Sequence, residues 1–197
     1  MKANVLKFGG SSFLHPRDYG QIASHLAERL SVGAGKIVAV VSAMAGTTDN
    51  LKAMILEVND RASPSNLDAA LATGEMLSTR LLEAAVSRIG IRVTSLCGYT
   101  LGIHTNSEFG RASITDIDPE PLLAALQQHD VVIAAGAQAI DKSGRLTMLG
   151  RNSSDLTAVV IASMLGSEDC EIYSDVPGLY SRSVLHPRSK TCPENCV

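Results

Sequence analysis

The sequence contains no tryptophan, three phenylalanines and four tyrosines in 197 residues. So thin an aromatic supply argues against a surface built to stack nucleic-acid bases. Charge of one sign is also lacking: 17 Lys and Arg stand against 20 Asp and Glu, a formal −3. A basic face for nucleic acid or an anionic membrane is therefore not expected, and any phosphate must be met by a few placed groups. Cysteine is scarce, at Cys97, Cys170, Cys192 and Cys196. Cys192 and Cys196 lie close together with no second Cys or His pair to complete a zinc site, so reduced thiols and no metal site are expected. No apolar run approaches the roughly 18 residues of a membrane span. Residues 1–7 lack the apolar stretch of a signal peptide. A cytoplasmic protein with neither nucleic-acid nor membrane partners is the expectation.

What is present is a core-forming composition, 45% hydrophobic and 19% charged, laid out as strands alternating with helices. Residues 5–8 read as a strand that breaks at Gly9-Gly10. A helix follows over residues 16–30, its apolar stripe made by Ile22, Ala23, Leu26, Ala27 and Leu30, with Gly33 and Gly35 beyond its end. Residues 36–42 form a continuous apolar strand of the kind buried on both faces. Further helices are expected over 49–58, 67–88 (interrupted near Gly74), 119–128 and 155–165, and further strands over 92–96, 131–135 and 171–174. The pattern predicts an α/β fold, a mostly parallel sheet sandwiched between helices in three layers. Residues 1–190 read as one domain and 191–197 as a tail. Open sheets of this kind place their sites beyond the carboxyl ends of strands, so the loops there are the informative ones.

Five such segments carry chemistry. In Lys7-Phe8-Gly9-Gly10-Ser11-Ser12, adjacent glycines let backbone amides approach an anion while Lys7 adds a point charge. The segment lacks the spacing of a P-loop. Ser42-Ala43-Met44-Ala45-Gly46-Thr47-Thr48-Asp49 follows the apolar strand; its small residues leave room for a ligand, and Thr48 or Asp49 is expected to cap the next helix. In Ala72-Thr73-Gly74-Glu75-Met76-Leu77-Ser78 an acid interrupts an apolar helical run; it is either exposed or, facing a site, fit to hold an ammonium group. Leu149-Gly150-Arg151-Asn152-Ser153-Ser154-Asp155 is the densest polar cluster, with a guanidinium fork and a helix N-terminus suited to anions; Ser154 and Asp155 also read as a cap and first-turn acid. Tyr173-Ser174-Asp175-Val176-Pro177-Gly178-Leu179-Tyr180 reads as a strand and a type II turn.

Taken in order, these segments resemble the kinase domain of the aspartokinases, within the amino-acid kinase family. Asn106-Ser107-Glu108-Phe109-Gly110-Arg111-Ala112 resembles a further stretch of the same domain. The resemblance implies transfer of the γ-phosphoryl group of ATP, with Mg2+, to the β-carboxylate of L-aspartate. It implies Lys7 and Asp155 as catalytic residues and Thr48, Glu75, Arg151 and Ser154 as aspartate-binding ones. Lys7, Gly9, Gly10, Ser11, Ser174, Asp175 and Tyr180 would meet the nucleotide. A homodimer is implied as well.

The departures matter. Two glycines of the family's Gly-Arg-Gly-Gly-Ser-Asp motif are here Asn152 and Ser153. After Tyr180, the residues Ser181-Arg182-Ser183 run directly into Val184-Leu185-His186-Pro187, as though an intervening stretch were missing. Ser183 stands where the family has a nucleotide-contacting lysine; Arg182, Arg188 and Lys190 are the basic residues nearby. No regulatory domain is expected, and hence no feedback inhibition by lysine or threonine. Three readings stay open: a minimal aspartate kinase, a non-catalytic relative that binds an amino acid or a partner subunit, and a kinase for another carboxylate.

Overall fold

The computed structural model describes residues 3–33, 35–150, 153–167 and 169–174. Five parallel strands form the central sheet: β1 (Ala3–Phe8), β2 (Lys36–Val41), β3 (Val93–Leu96), β6 (Val131–Ala135) and β9 (Cys170–Tyr173). Their order is β3-β6-β2-β1-β9. Residues 37–41 of β2 are wholly buried, as a strand flanked on both sides and covered on both faces requires. Alternate side chains divide between two cores. Leu6, Phe8, Ile37, Ala39, Val41, Val131 and Ile133 pack with Tyr19, Ala23 and Leu26 of α1 (Asp18–Ser31) and Leu82 and Val86 of α3 (Pro64–Arg88). Val5, Val38, Val40, Val132 and Ala134 pack with Leu122 and Leu126 of α4 (Glu120–Gln128) and Ala158 and Ile161 of α5 (Ser153–Met164). The three-layer α/β/α arrangement is the one expected. Among the described residues no helix is long and apolar enough to cross a membrane.

A second sheet departs from that expectation. β4 (Ile103–Thr105), β5 (Ile114–Ile117), β7 (Gln138–Asp141) and β8 (Leu146–Met148) pair in the order β5-β4-β7-β8. Only β4 and β7 are parallel. Strands of three or four residues show too few alternations to announce themselves. Their cohesion is partly polar: the buried hydroxyls of Thr105 and Thr147 bond at 2.7 Å, and buried Gln138 accepts from the Gly98 amide and donates to the Ala72 carbonyl.

Two helix expectations are also corrected. Helix α3 begins at Pro64 and runs unbroken through Gly74. Ser63 caps it by accepting the Asn66 amide at 3.2 Å, with Pro64 at the first helical position. Gly74 serves contact rather than interruption: a Cβ there would lie 3.0 Å from that of Ala43 and 3.3 Å from the Thr47 methyl. Helix α2 (Thr47–Val58) is led by Gly46 at φ 76°, with no side-chain cap. Thr48 and Asp49 instead occupy its first turn, where an acid is favoured by the helix dipole.

The turn between β7 and β8 is built around Asp141, whose side chain is fully buried. Its Oδ1 accepts the amides of Ser143 and Arg145, and its Oδ2 the Arg145 guanidinium and the Ser107 hydroxyl. The Arg145 amide, followed by the guanidinium and the Ser107 hydroxyl, holds this carboxyl well below the usual range against the opposing effect of burial. A depressed carboxyl contributes stability that is present above its unfolded value, about 4, and lost as pH falls toward its folded value. Asp141→Asn is therefore expected to lower the urea midpoint at pH 7, and the gap from the wild type should narrow steadily once the pH drops below about 4.

Candidate functional site

The parallel strands end together, and a cleft of about 730 Å³ opens beyond them. Lys7 reaches it from the penultimate position of β1, Ser42 from the end of β2, Ala137 from just past β6 and Ser174 from just past β9. Hydrogen bonds hold the strand exits level: Ser42 N to Phe8 O at 3.1 Å, Gly136 N to Val41 O at 2.9 Å and Gly9 N to Tyr173 O at 3.2 Å. The Tyr173 ring stacks on Phe8 at 4.9 Å. Its hydroxyl donates to Glu171, which Arg29 of α1 also grips, so β9 is fastened to the layer beneath it.

Lys7 is 8% exposed, and its ammonium lies 2.6 Å from Asp155 Oδ1 at the start of α5. Parity explains the pairing, because Lys7 falls on the same face of β1 as Ala3 and Val5, the face that α5 covers. The ammonium also lies over Gly9, 3.4 Å from where a Cβ would project. Gly10 begins a single 3-10 turn, and a Cβ there would stand 2.9 Å from the Ala43 carbonyl oxygen. Only glycine lets this turn close on the loop after β2. A cationic side chain, a glycine turn and the Ser11 hydroxyl thus border one end of the cleft, an arrangement suited to phosphate oxygens.

Glu75 lies on the α3 wall, 5% exposed, with Oε2 lacking any hydrogen-bond partner. Burial pushes its carboxyl up to about 7, with the Ala43 amide opposing. A buried carboxylate without a cation is costly, and this one borders open space where a ligand ammonium can complete it. Three residues on, Ser78 bonds the Tyr19 hydroxyl at 2.7 Å and ties α3 to α1. On the α5 side, the Ser154 hydroxyl bonds that of Ser42 at 2.8 Å. Ala137 takes φ 62°, a left-handed conformation unusual for an alanine, and its amide donates to Thr157 Oγ1 at 3.0 Å. Strain of this kind collects where a site is shaped.

Of the residues singled out from sequence, Lys7, Gly9, Gly10, Ser11, Thr48, Glu75, Ser154, Asp155 and Ser174 line this one cleft. Arg151, Asp175 and Tyr180 lie outside the described residues. Lys52 and Asp68 line it too, in helices and with no strand-end motif to mark them. Helical spacing was the available signal, since Lys52 follows Thr48 by one turn and Asp68 precedes Glu75 by two. Among the described residues, no three His, Cys, Asp or Glu side chains gather to hold a metal ion.

The model of the amino acid kinase family matches residues 2–187. The chain belongs to that family. It is 37% identical over 177 residues to an aspartokinase of Geobacillus stearothermophilus, covering 90% of this chain and 43% of the relative. Aspartokinase 2 of Bacillus subtilis is 36% identical over 185 residues, covering 94% and 45%. The chain thus spans less than half the length of these amino acid kinases. Among solved structures, E. coli aspartokinase III in complex with aspartate and ADP superposes with a TM-score of 0.72 at 25% identity, covering 91% of this chain and 50% of that one. Aspartate kinase from Synechocystis gives 0.75 at 32%, covering 90% and 29%.

The environment of Glu75 predicts a pH signature. Its folded value lies above the unfolded 4.5, so its contribution to stability is full below about 4.5 and is lost as pH rises through about 7. Glu75→Gln should match the wild type in thermal midpoint at pH 4.5. By pH 8 its midpoint should lie above the wild type's, reflecting a stability difference on the order of 3 kcal/mol. Thermal unfolding of the ligand-free proteins at the two pH values checks this.

Proposed function

We propose that this chain phosphorylates the β-carboxylate of L-aspartate from Mg-ATP, yielding 4-phospho-L-aspartate and ADP. The observation that carries the reading is the ion pair of Lys7 with Asp155 beside the Gly9-Gly10 turn, facing the unpartnered Glu75 across one cleft. The sequence relatives named aspartokinases, and the solved aspartokinase that holds aspartate and ADP, support it.

The division of labour follows from the chemistry of each side chain. Glu75 would take the substrate ammonium, a match of charge that also relieves its buried carboxyl. Thr48 and Ser154 would hold the amino acid through their hydroxyls, with Arg151 as the fork for a carboxylate. The amides around Gly9 and Gly10, the Ser11 hydroxyl and Lys7 would meet the polyphosphate, with Ser174, Asp175 and Tyr180 on the nucleotide side. A divalent ion bound to the nucleotide would neutralise charge between its phosphates.

No general base is needed, because a β-carboxylate is already ionised near neutral pH. One of its oxygens forms a bond to the γ-phosphorus as the bond from that phosphorus to the β–γ bridging oxygen breaks. The electron pair leaves with ADP, and no proton moves. Catalysis reduces to alignment and to stabilising charge on the group in flight. Lys7 supplies that charge, and Asp155 keeps its ammonium aimed at the glycine turn.

ADP release with Mg-ATP and L-aspartate, with hydroxylamine trapping of the acyl phosphate, tests the reading. Turnover should depend on aspartate and fall by at least about a hundredfold in Lys7→Ala, as for loss of a main electrostatic stabiliser, while L-aspartate still raises that variant's thermal midpoint. Absence of release from wild-type protein that aspartate still stabilises would reduce the chain to an amino-acid-binding domain. Affinity for aspartate should also rise between pH 6 and pH 8 as Glu75 gives up its proton, a trend that titration calorimetry reads and Glu75→Gln should abolish.

A further inference from the structure

Helix α3 carries a second buried carboxylate that the reaction above leaves unused. Asp68 is 2% exposed and lines the same cleft. Its Oδ2 accepts the Gly110 amide at 2.8 Å and the Met148 amide at 2.8 Å. Gly110 lies in the connection between β4 and β5, and Met148 ends β8. The Ala112 amide donates in turn to the Met148 carbonyl at 3.0 Å. Three stretches of chain, remote in sequence, therefore meet at one carboxylate oxygen.

Their placement gives the contact a consequence for the cleft. Asp68 and Glu75 are two helical turns apart on one face of α3, about 10 Å along its axis. Beyond Met148 the chain passes Gly150 and enters α5, where Ser154 and Asp155 stand. Helix α3 thus carries Glu75 on one wall, and the segment after β8 carries Ser154 and Asp155 on the other. Asp68 bonds directly from the first to the strand that delivers the second. The Gly110 bond draws in the β4–β5 connection, which Ser107 anchors independently to Asp141 and Phe109 to the Arg145 guanidinium at 4.8 Å.

We propose that Asp68 is a positioning residue: through the amides of Gly110 and Met148 it sets the span between Glu75 and the Ser154-Asp155 pair, and thereby the affinity of the cleft for its amino acid. The proposal rests on the reading of the cleft as an amino-acid site. A staple that served only stability would lower the unfolding midpoint and leave affinity alone. A span-setter must change affinity even in protein that is fully folded.

The test uses the full chain as wild type, Asp68→Ala, Asp68→Asn and Val86→Ala, the last a buried truncation on the same helix away from the cleft. L-Aspartate binding is measured by titration calorimetry, and amide hydrogen exchange is followed at Gly110 and Met148. Asp68→Ala should weaken binding at least about tenfold, as displacement of a binding group by a fraction of an ångström does, and should speed exchange of both amides. Asp68→Asn, whose amide oxygen can accept both N–H groups, should restore both readouts. Val86→Ala should lower stability with affinity unchanged. Should Asp68→Ala fail to fold, Asp68→Ser takes its place, its hydroxyl too short to reach both amides. Unchanged affinity in the folded variant, equal weakening by Val86→Ala, or amides that keep their protection would each overturn the proposal. Wild-type protein that takes up no L-aspartate overturns the substrate reading instead, and the clamp is then judged by the amide exchange alone.

Discussion

A buried ammonium needs a counter-charge, and at the carboxyl end of β1 that requirement organises the cleft. Lys7 is enclosed because β1 runs between β2 and β9 under the cover of α5. The cover brings its own carboxylate, Asp155, to 2.6 Å. Lys7 is the enclosed member, its side chain 10% exposed against 43% for Asp155, so loss of the carboxylate would strand a largely buried ammonium. The pair therefore locks the start of α5 to the end of β1, and with them the Ser154–Ser42 hydroxyl contact and the exit of β2.

The opposite wall follows a different logic. Glu75 is held in a place that suits its charge poorly, with burial raising its carboxyl to about 7 and one oxygen left without a partner. Structures tolerate such groups where the missing partner arrives with a ligand. Gly74 is what lets that wall come close, since any side chain there would press on Ala43 and Thr47. The motif is thus two devices in succession, a glycine for close approach and a buried acid with one oxygen unpartnered, followed by Ser78, which fastens the helix to α1.

The second sheet supplies the remaining wall, and polar contacts join apolar packing in its construction. The carboxylates of Asp141 and Asp68 gather backbone amides from turns that have little apolar surface of their own. Buried carboxylates can fix loops in this way because each oxygen accepts more than one strong bond. The small sheet is accordingly tied to α3 by directed contacts as well as by the packing of Leu146 and Met148 on Ala72, whereas the large sheet is set by packing on both faces.

The local chemistry of the chain was enough to reveal the strands that are apolar throughout, the α/β alternation, and the polar and glycine residues at or beyond the strand ends: Lys7, Gly9, Gly10, Thr48, Ser154, Asp155 and Ser174. Each is legible because periodicity and strand-end position depend on neighbours in sequence. Gly74 read as an interruption and Thr48 or Asp49 as a cap because both judgements weigh local propensity, which contact with Ala43 and the backbone of Gly46 overrode. The short strands of the second sheet have too few residues to show a period, while the inward aim of Glu75 and the work of Asp68 depend on partners 32 and 80 residues away, Ala43 for Glu75 and Met148 for Asp68. Burial and hydrogen bonding between remote segments exist only once the chain has closed on itself, and it is they that turn a row of separate motifs into one cleft.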